Sequence, residues 1–196
     1  MMDVNEQKKA LRKELLAARN ALNTGERIAM DARLAENVAG LPEYETARVL
    51  LPYLSFGTEV DTRAIICQAW ADGKIVALPR CIPGTREMAW YRVDSLDGLV
   101  KSKLGVEEPP ENPAWEIDPY ALAPDEALVL VPGFTFDARG YRLGYGGGFY
   151  DVFLSRYNGK AAGLCRDPFF DKYTLTLGEF DLPVPLVITN TRIVRA

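Results

Sequence analysis

The chain has 196 residues, 48% of them hydrophobic and 26% charged, which suits one α/β domain with a core of its own. A net charge of −4 provides no global basic field to hold a nucleic-acid backbone, so an anionic ligand must be met by local cations. There is no histidine, which excludes Ser-His-Asp and Cys-His catalysis and leaves the chemistry to carboxylates, cations, tyrosines, a bound metal or the substrate itself.

The N-terminal stretch "MMDVNEQKKALRKELLAARNAL" is too charged for a signal peptide, and no apolar run of about 18 residues follows it, so the chain reads as soluble and cytoplasmic, with no membrane role. Residues 5–22 set Leu11, Leu15, Ala18 and Leu22 at helical spacing. Lys8, Lys9, Arg12, Lys13 and Arg19 are assigned to the other face, which spacing alone reads as solvated. Asn23 or Thr24 then caps a second helix running to about Gly40, with Ile28, Ala32, Ala35 and Val38 as its apolar positions.

"ARVLLPYLS" (47–55) is a short bounded apolar run and predicts a buried strand. "EVDTRAIICQAWADGK" (59–74) predicts a helix ended by Gly73, and "KIVALPR" (74–80) the next strand. That order predicts a right-handed βαβ unit in a parallel sheet. "EMAWYRV" (87–93) predicts a strand, antiparallel to its neighbour, and the proline-bearing residues 98–119 a long irregular connection. "ALVLVPGFTFD" (127–137) predicts a central parallel strand opening into a loop, and "AAGLC" and "PLVITNTRIV" the closing strands. The expected fold is a single domain over 1–196: a three-layer α/β/α, Rossmann-like open sheet, mostly parallel, with a smaller β element. Cys67, Cys81 and Cys165 have neither CxxC spacing nor a histidine to complete a zinc site, and read as reduced, mostly buried thiols.

The stretch "RGYRLGYGGGFYD" (139–151) falls just beyond that central strand and ahead of residues that resume helical spacing from Phe149 to about Tyr157. Glycines 144, 146, 147 and 148 let backbone N–H groups converge on an anion, and the following helix start adds positive charge. The stretch fits neither GxGxxG nor GxxxxGK[ST], so motif matching alone does not name it. Arg142 can clamp phosphate oxygens while Asp151 holds Mg²⁺ bound to the same oxygens. On residues alone, a sugar-phosphate isomerase or a non-catalytic nucleotide-binding protein remains open.

The longer string "VPGFTFDARGYRLGYGGGFYD" closely resembles the signature of 5-formyltetrahydrofolate cyclo-ligases, also called methenyltetrahydrofolate synthetases. Lys8 and Arg12 in the N-terminal helix, "SFGTEVDT" (55–62), "ALPR" (77–80) and "FDLPVPLVIT" extend it over nearly the whole chain, in family order. The resemblance implies ATP-dependent cyclisation of 5-formyltetrahydrofolate to 5,10-methenyltetrahydrofolate, with Mg²⁺ as cofactor and ATP as co-substrate. It implies small-molecule partners only, and a monomer. By the same match, ATP contacts fall at Lys8, Lys9, Ala10, Leu11 and Arg12 and at Arg142, Leu143, Gly144, Tyr145, Gly146, Gly147, Gly148, Phe149 and Tyr150. Lys8 and Arg142 carry the catalytic charge. Glu59, with Tyr145 to Phe149, binds the folate, Asp151 and Asp181 hold the metal, and Arg80 is a further phosphate or substrate contact. Phe149 stands where the family often has tyrosine, and Asp181 lacks the second acid that follows it in many relatives.

Overall fold

The computed structural model describes residues 3–102 and 105–196. Two helices open the chain, α1 (Val4–Ala21) and α2 (Thr24–Ala39). Asn23 starts the second: its side-chain oxygen accepts from the Gly25 and Glu26 backbone N–H groups at 2.8 and 3.3 Å, a cap that contributes about 1 kcal/mol. A short α3 (Pro42–Thr46) leads into β1 (Val49–Leu51), α4 (Arg63–Ala71) and β2 (Ile75–Cys81). Four small strands follow: β3 (Met88–Arg92), β4 (Val100–Lys101), β5 (Glu107–Glu108) and β6 (Glu116–Ile117). Next come β7 (Ala127–Val131), the pair β8 (Thr135–Phe136) and β9 (Arg142–Leu143), and α5 (Phe149–Leu154). The chain closes with β10 (Lys160–Leu164), β11 (Leu186–Ile188) and β12 (Ile193–Arg195).

The main sheet has eight strands in the order β12-β11-β10-β7-β1-β2-β3-β6. The run from β11 to β2 is parallel, and the antiparallel strands β12, β3 and β6 lie outside it. Alternate residues of the central strands feed two separate cores. Leu50, Leu128 and Leu130 pack with Leu34, Val38 and Ile66 from α2 and α4, whereas Val49, Leu51, Val129 and Val131 pack with Leu15 of α1 and Phe153 of α5. Both faces are covered, which is why β1 and β7 are apolar without alternation. The expected three-layer α/β/α arrangement is the one observed. No helix among the described residues is long and apolar enough to cross a membrane.

Several local expectations change. Ile28 is 62% exposed, and α2 buries Leu34 together with the expected Val38. The helix expected from residue 59 begins at Arg63. Thr62 Oγ1 donates to the Tyr53 carbonyl at 2.7 Å and accepts from Ser55 N at 3.2 Å, and these bonds hold 59–62 as a turn against the exit of β1. Within 98–119, β4 pairs with β5 and β6 extends the main sheet; residues 103 and 104 lie outside the described ones. The helix after the glycines ends at Leu154, so its six residues carry only a short dipole. Of the three thiols only Cys165 is buried, and burial pushes it up to about 12; Cys67 is exposed.

Candidate active site

β1 and β7 are parallel neighbours whose connections leave in opposite directions, through α4 to β2 and through α5 to β10. The crevice beyond their carboxyl ends is therefore a topological switch point, the place where open α/β sheets bind ligands. Residues 52–62 leave β1 there, and 132–148 leave β7. The glycine loop and Glu59 thus meet although about 85 residues separate them in sequence.

α1 brings cations to the same place. Lys8, Leu11, Arg12, Leu15 and Arg19 follow one another at three- and four-residue steps, which puts them on one stripe of the helix. Lys9, Ala10 and Lys13 are exposed on the other side. The expectation that all five basic residues share a solvated face is corrected by this stripe: Lys9 and Lys13 belong to that face, while Lys8 and Arg12 turn to the loop and Arg19 is buried.

Arg12 Nε donates to the Gly144 carbonyl at 2.7 Å, and its guanidinium lies so close to Gly146 that a Cβ there would come within 3.2 Å of it. Gly146 (φ +99°) and Gly148 (φ +75°) hold backbone conformations that a side chain would strain, whereas at Gly147 the limit is space, because a Cβ would meet the Phe149 ring at 2.8 Å. Arg142 is buried on β9. Its Nη2 donates to Asp151 Oδ1 at 2.8 Å and its Nη1 to the Leu182 carbonyl at 3.0 Å. Lys8 pairs with Asp181, whose Oδ2 also accepts from Gly178 N at 2.6 Å. Leu182 N donates to Asp151 Oδ1 at 3.3 Å, so the two acid–base pairs are linked through the 181–182 backbone. A cavity of about 130 Å³ opens beside them, lined in part by Lys8, Leu11 and Arg142.

On the other side of the loop, the Tyr145 ring packs tilted against Phe134 with centroids 4.5 Å apart, and its hydroxyl lies near the Glu59 carboxylate, which adds to burial in pushing the phenol up to about 12. Glu59 Oε2 also accepts from Phe56 N at 2.7 Å. Burial pushes the Glu59 carboxyl up to about 7, although the Phe56 N–H, Arg19 and Tyr145 all favour its charged form. A larger cavity, about 440 Å³, opens beside Glu59. Tyr150 lies near Glu59 and Arg142, and its buried hydroxyl has no hydrogen-bond partner among the described residues. Arg80 Nη1 donates to the Pro109 carbonyl at 2.9 Å.

Three residues that the sequence expectations did not place here shape this site. Arg86, from the turn between β2 and β3, lies against Gly148, where a Cβ would meet its Cδ at 3.6 Å. Arg19 donates to the Gly133 carbonyl and sits over the Phe134 ring at 4.8 Å, under the root of the glycine loop; only its place on the Leu15 stripe hinted at this. Arg166 makes a buried two-bond pair with Asp31, both bonds 2.7 Å, and also donates to the Thr58 and Glu59 carbonyls at 3.0 and 2.7 Å, fixing the turn that carries Glu59.

Among the described residues, no three His, Cys, Asp or Glu side chains form a metal-binding group. Mg²⁺ needs no such group when one or two carboxylates share it with substrate phosphates and water. Asp151 uses Oδ1, and Asp181 uses Oδ2, for the bonds described above, and their second oxygens lie outside those bonds, a donor set that fits Mg²⁺.

The profile of the 5-formyltetrahydrofolate cyclo-ligase family matches residues 4–177. The chain is 30% identical to the 5-formyltetrahydrofolate cyclo-ligase of Escherichia coli K12 over 182 residues, covering 89% of this chain and 96% of that protein. It is 32% identical to the mouse 5-formyltetrahydrofolate cyclo-ligase over 157 residues, 78% of this chain and 76% of the relative. Its structure resembles the solution structure of 5,10-methenyltetrahydrofolate synthetase from Aquifex aeolicus, with a TM-score of 0.80, 30% identity and coverage of 96% and 92% of the two chains. A profile match across most of the chain, relatives aligned over most of their length and a shared fold together place this chain in the 5-formyltetrahydrofolate cyclo-ligase family of ligases.

Proposed function

We propose that the chain converts 5-formyltetrahydrofolate and ATP to 5,10-methenyltetrahydrofolate, ADP and phosphate, with Mg²⁺, at the switch point between β1 and β7. One observation carries this reading: a single glycine loop is held by Arg12 at the Gly144 carbonyl on one side and lies, at Tyr145, beside the Glu59 carboxylate on the other. The loop would bring a phosphate donor on the cationic side to a folate on the Glu59 side.

The chemistry needs what these residues offer. Ring closure requires N10 to attack the formyl carbon and the formyl oxygen to leave, but an amide oxygen is a very poor leaving group. Transfer of the γ-phosphoryl group to that oxygen breaks the β–γ bridge and gives ADP and an iminium phosphate. The N10–carbon bond then forms, the carbon–oxygen bond breaks, phosphate departs with the formyl oxygen, and the N10 proton is lost to phosphate or solvent. The substrate carries its own nucleophile, which suits a chain without histidine.

The protein's work is positioning and charge. Lys8, Arg12 and Arg142 would bind the triphosphate and offset the charge on the transferring group, with the loop N–H groups as further donors. Glu59 would accept the N–H donors of the pterin, and the packed rings of Phe134 and Tyr145 would wall it. Tyr150 would find in the bound substrates the partner its hydroxyl lacks. Asp151 and Asp181 would hold Mg²⁺, which supplies neutralisation of phosphate charge when bound.

The test is near-ultraviolet absorbance of the purified chain with 5-formyltetrahydrofolate and Mg²⁺, with and without ATP. An ATP-dependent rise of the methenyl-folate band is the expected result, and its absence in a folded sample that binds both ligands contradicts the reading. The same reading has the chain working as a monomer in the cytoplasm, so sedimentation should give the mass of one chain.

A further inference from the structure

We propose that the cavity beside Glu59 is the subsite for the substrate's glutamate tail, and that Arg27 and Lys101 hold the tail's carboxylates. The inference rests on the folate reading above and extends it to the far end of the molecule. A formyl-folate continues from N10 through an aryl ring to an amide-linked glutamate with two carboxylates. The cavity holds about 440 Å³, far more than a pterin edge at Glu59 would fill, and it offers surfaces for both remaining parts.

Its charges are mostly spoken for. Asp31 is paired with Arg166, while Asp61 and Glu107 share Arg63, whose Nη2 meets Glu107 at 3.1 Å and whose Nη1 also donates to Ser55 Oγ at 2.9 Å. Arg27 and Lys101 also line the cavity, and their side chains have neither a hydrogen bond nor an ion pair among the described residues. Once the internal pairs are set aside, Arg27 and Lys101 are, among the described residues lining the cavity, the two cations left for a dianionic tail. Apolar surface is present as well: Phe56 and Ile28, 44% and 62% exposed, line the same cavity and suit an aryl ring. Ile28 breaks the inward apolar pattern of α2, and a ligand-facing role accounts for its position.

The experiment compares 5-formyltetrahydrofolate with 5-formyltetrahydropteroate, the same compound without its glutamate, as substrates of the full chain with ATP and Mg²⁺. Wild type is expected to show a KM about tenfold or more higher for the truncated compound, the loss that follows from removing charge-assisted contacts at a partly exposed site. An Arg27→Gln/Lys101→Gln double variant should raise KM for the full substrate by a similar factor and turn over the truncated compound as wild type does. Arg33→Ala, an exposed cation on α2 that does not line the cavity, serves as the control for charge alone. Circular dichroism confirms that the variants fold. Equal KM for the two compounds in wild type, or an equal rise for both in the double variant, overturns the subsite while leaving the cyclo-ligase reading intact. Turnover of neither compound by wild type overturns both.

Discussion

Tyr150 carries a buried hydroxyl with no partner among the described residues, which is a cost in the free protein and an opportunity for a ligand. Tyr150→Phe is therefore expected to leave stability unchanged or raised by up to about 1 kcal/mol while lowering turnover, opposite signs that thermal unfolding and the absorbance assay read separately. A variant as active as wild type would assign the hydroxyl no role. Arg142→Ala removes a buried, charge-assisted contact and is expected to cost about 1.5–3 kcal/mol in kcat/KM for ATP, with the Asp151 pair and the Leu182 bond also lost. Asp151→Asn keeps a hydrogen-bond acceptor for Arg142, so the fold should persist while turnover falls sharply. Wild-type turnover of that variant at limiting Mg²⁺ would remove Asp151 from the site.

Glu59 ties the site to pH. Its folded-state carboxyl is raised to about 7 by burial, so between about pH 4.5 and 7 the native chain keeps a proton that the unfolded chain has released. Stability contributed by the protonated form is present at low pH and is lost as pH rises through that window. Glu59→Gln has no proton to lose, so its stability relative to wild type should grow by about 1–3 kcal/mol from pH 4.5 to 7.5 and then stay level. Urea unfolding at several pH values checks this, and parallel curves for the two proteins would contradict it.

At the scale of elements, the turn that presents Glu59 depends on a pair contributed by α2 and the end of β10. Arg166→Met leaves Asp31 buried and unpaired, and is expected to lower stability by about 3–5 kcal/mol. Adding Asp31→Leu should recover much of that loss, yet folate KM should stay high, because the Thr58 and Glu59 carbonyls have still lost their donor. Recovery of KM along with stability would make the pair a purely structural device. Elements of this kind were hard to read in the sequence. Asp31 and Arg166 lie 135 residues apart, and neither sits in a pattern that local spacing can interpret. The short strands of 98–119 were missed because two-residue segments carry no alternation. β1 and β7, by contrast, were plain as bounded apolar runs, since a strand covered on both faces needs no polar residue anywhere.

For the whole molecule, the sheet order puts the exits of β1 and β7 side by side, and much of the site follows from that fact. The glycine loop was legible in sequence because its glycines, Arg142 and Asp151 are contiguous, and Glu59 was legible only through family resemblance. The cationic stripe of α1 was half legible: its residues were visible, but amphipathic reading sent Lys8, Arg12 and Arg19 to the wrong face, because the rule opposes charge to apolar side chains and here a charged stripe continues an apolar one. What the sequence alone could not convey was pairing: that Arg63 is shared between Asp61 and Glu107, and that Lys8 and Arg142 each sit against a site carboxylate.

The central claim is that phosphate leaves with the formyl oxygen. Substrate labelled with ¹⁸O in the formyl group, turned over with unlabelled ATP, tests it most directly. The account predicts one labelled oxygen in the released inorganic phosphate for each methenyl product formed. Label appearing in water, with the phosphate unlabelled, would contradict it.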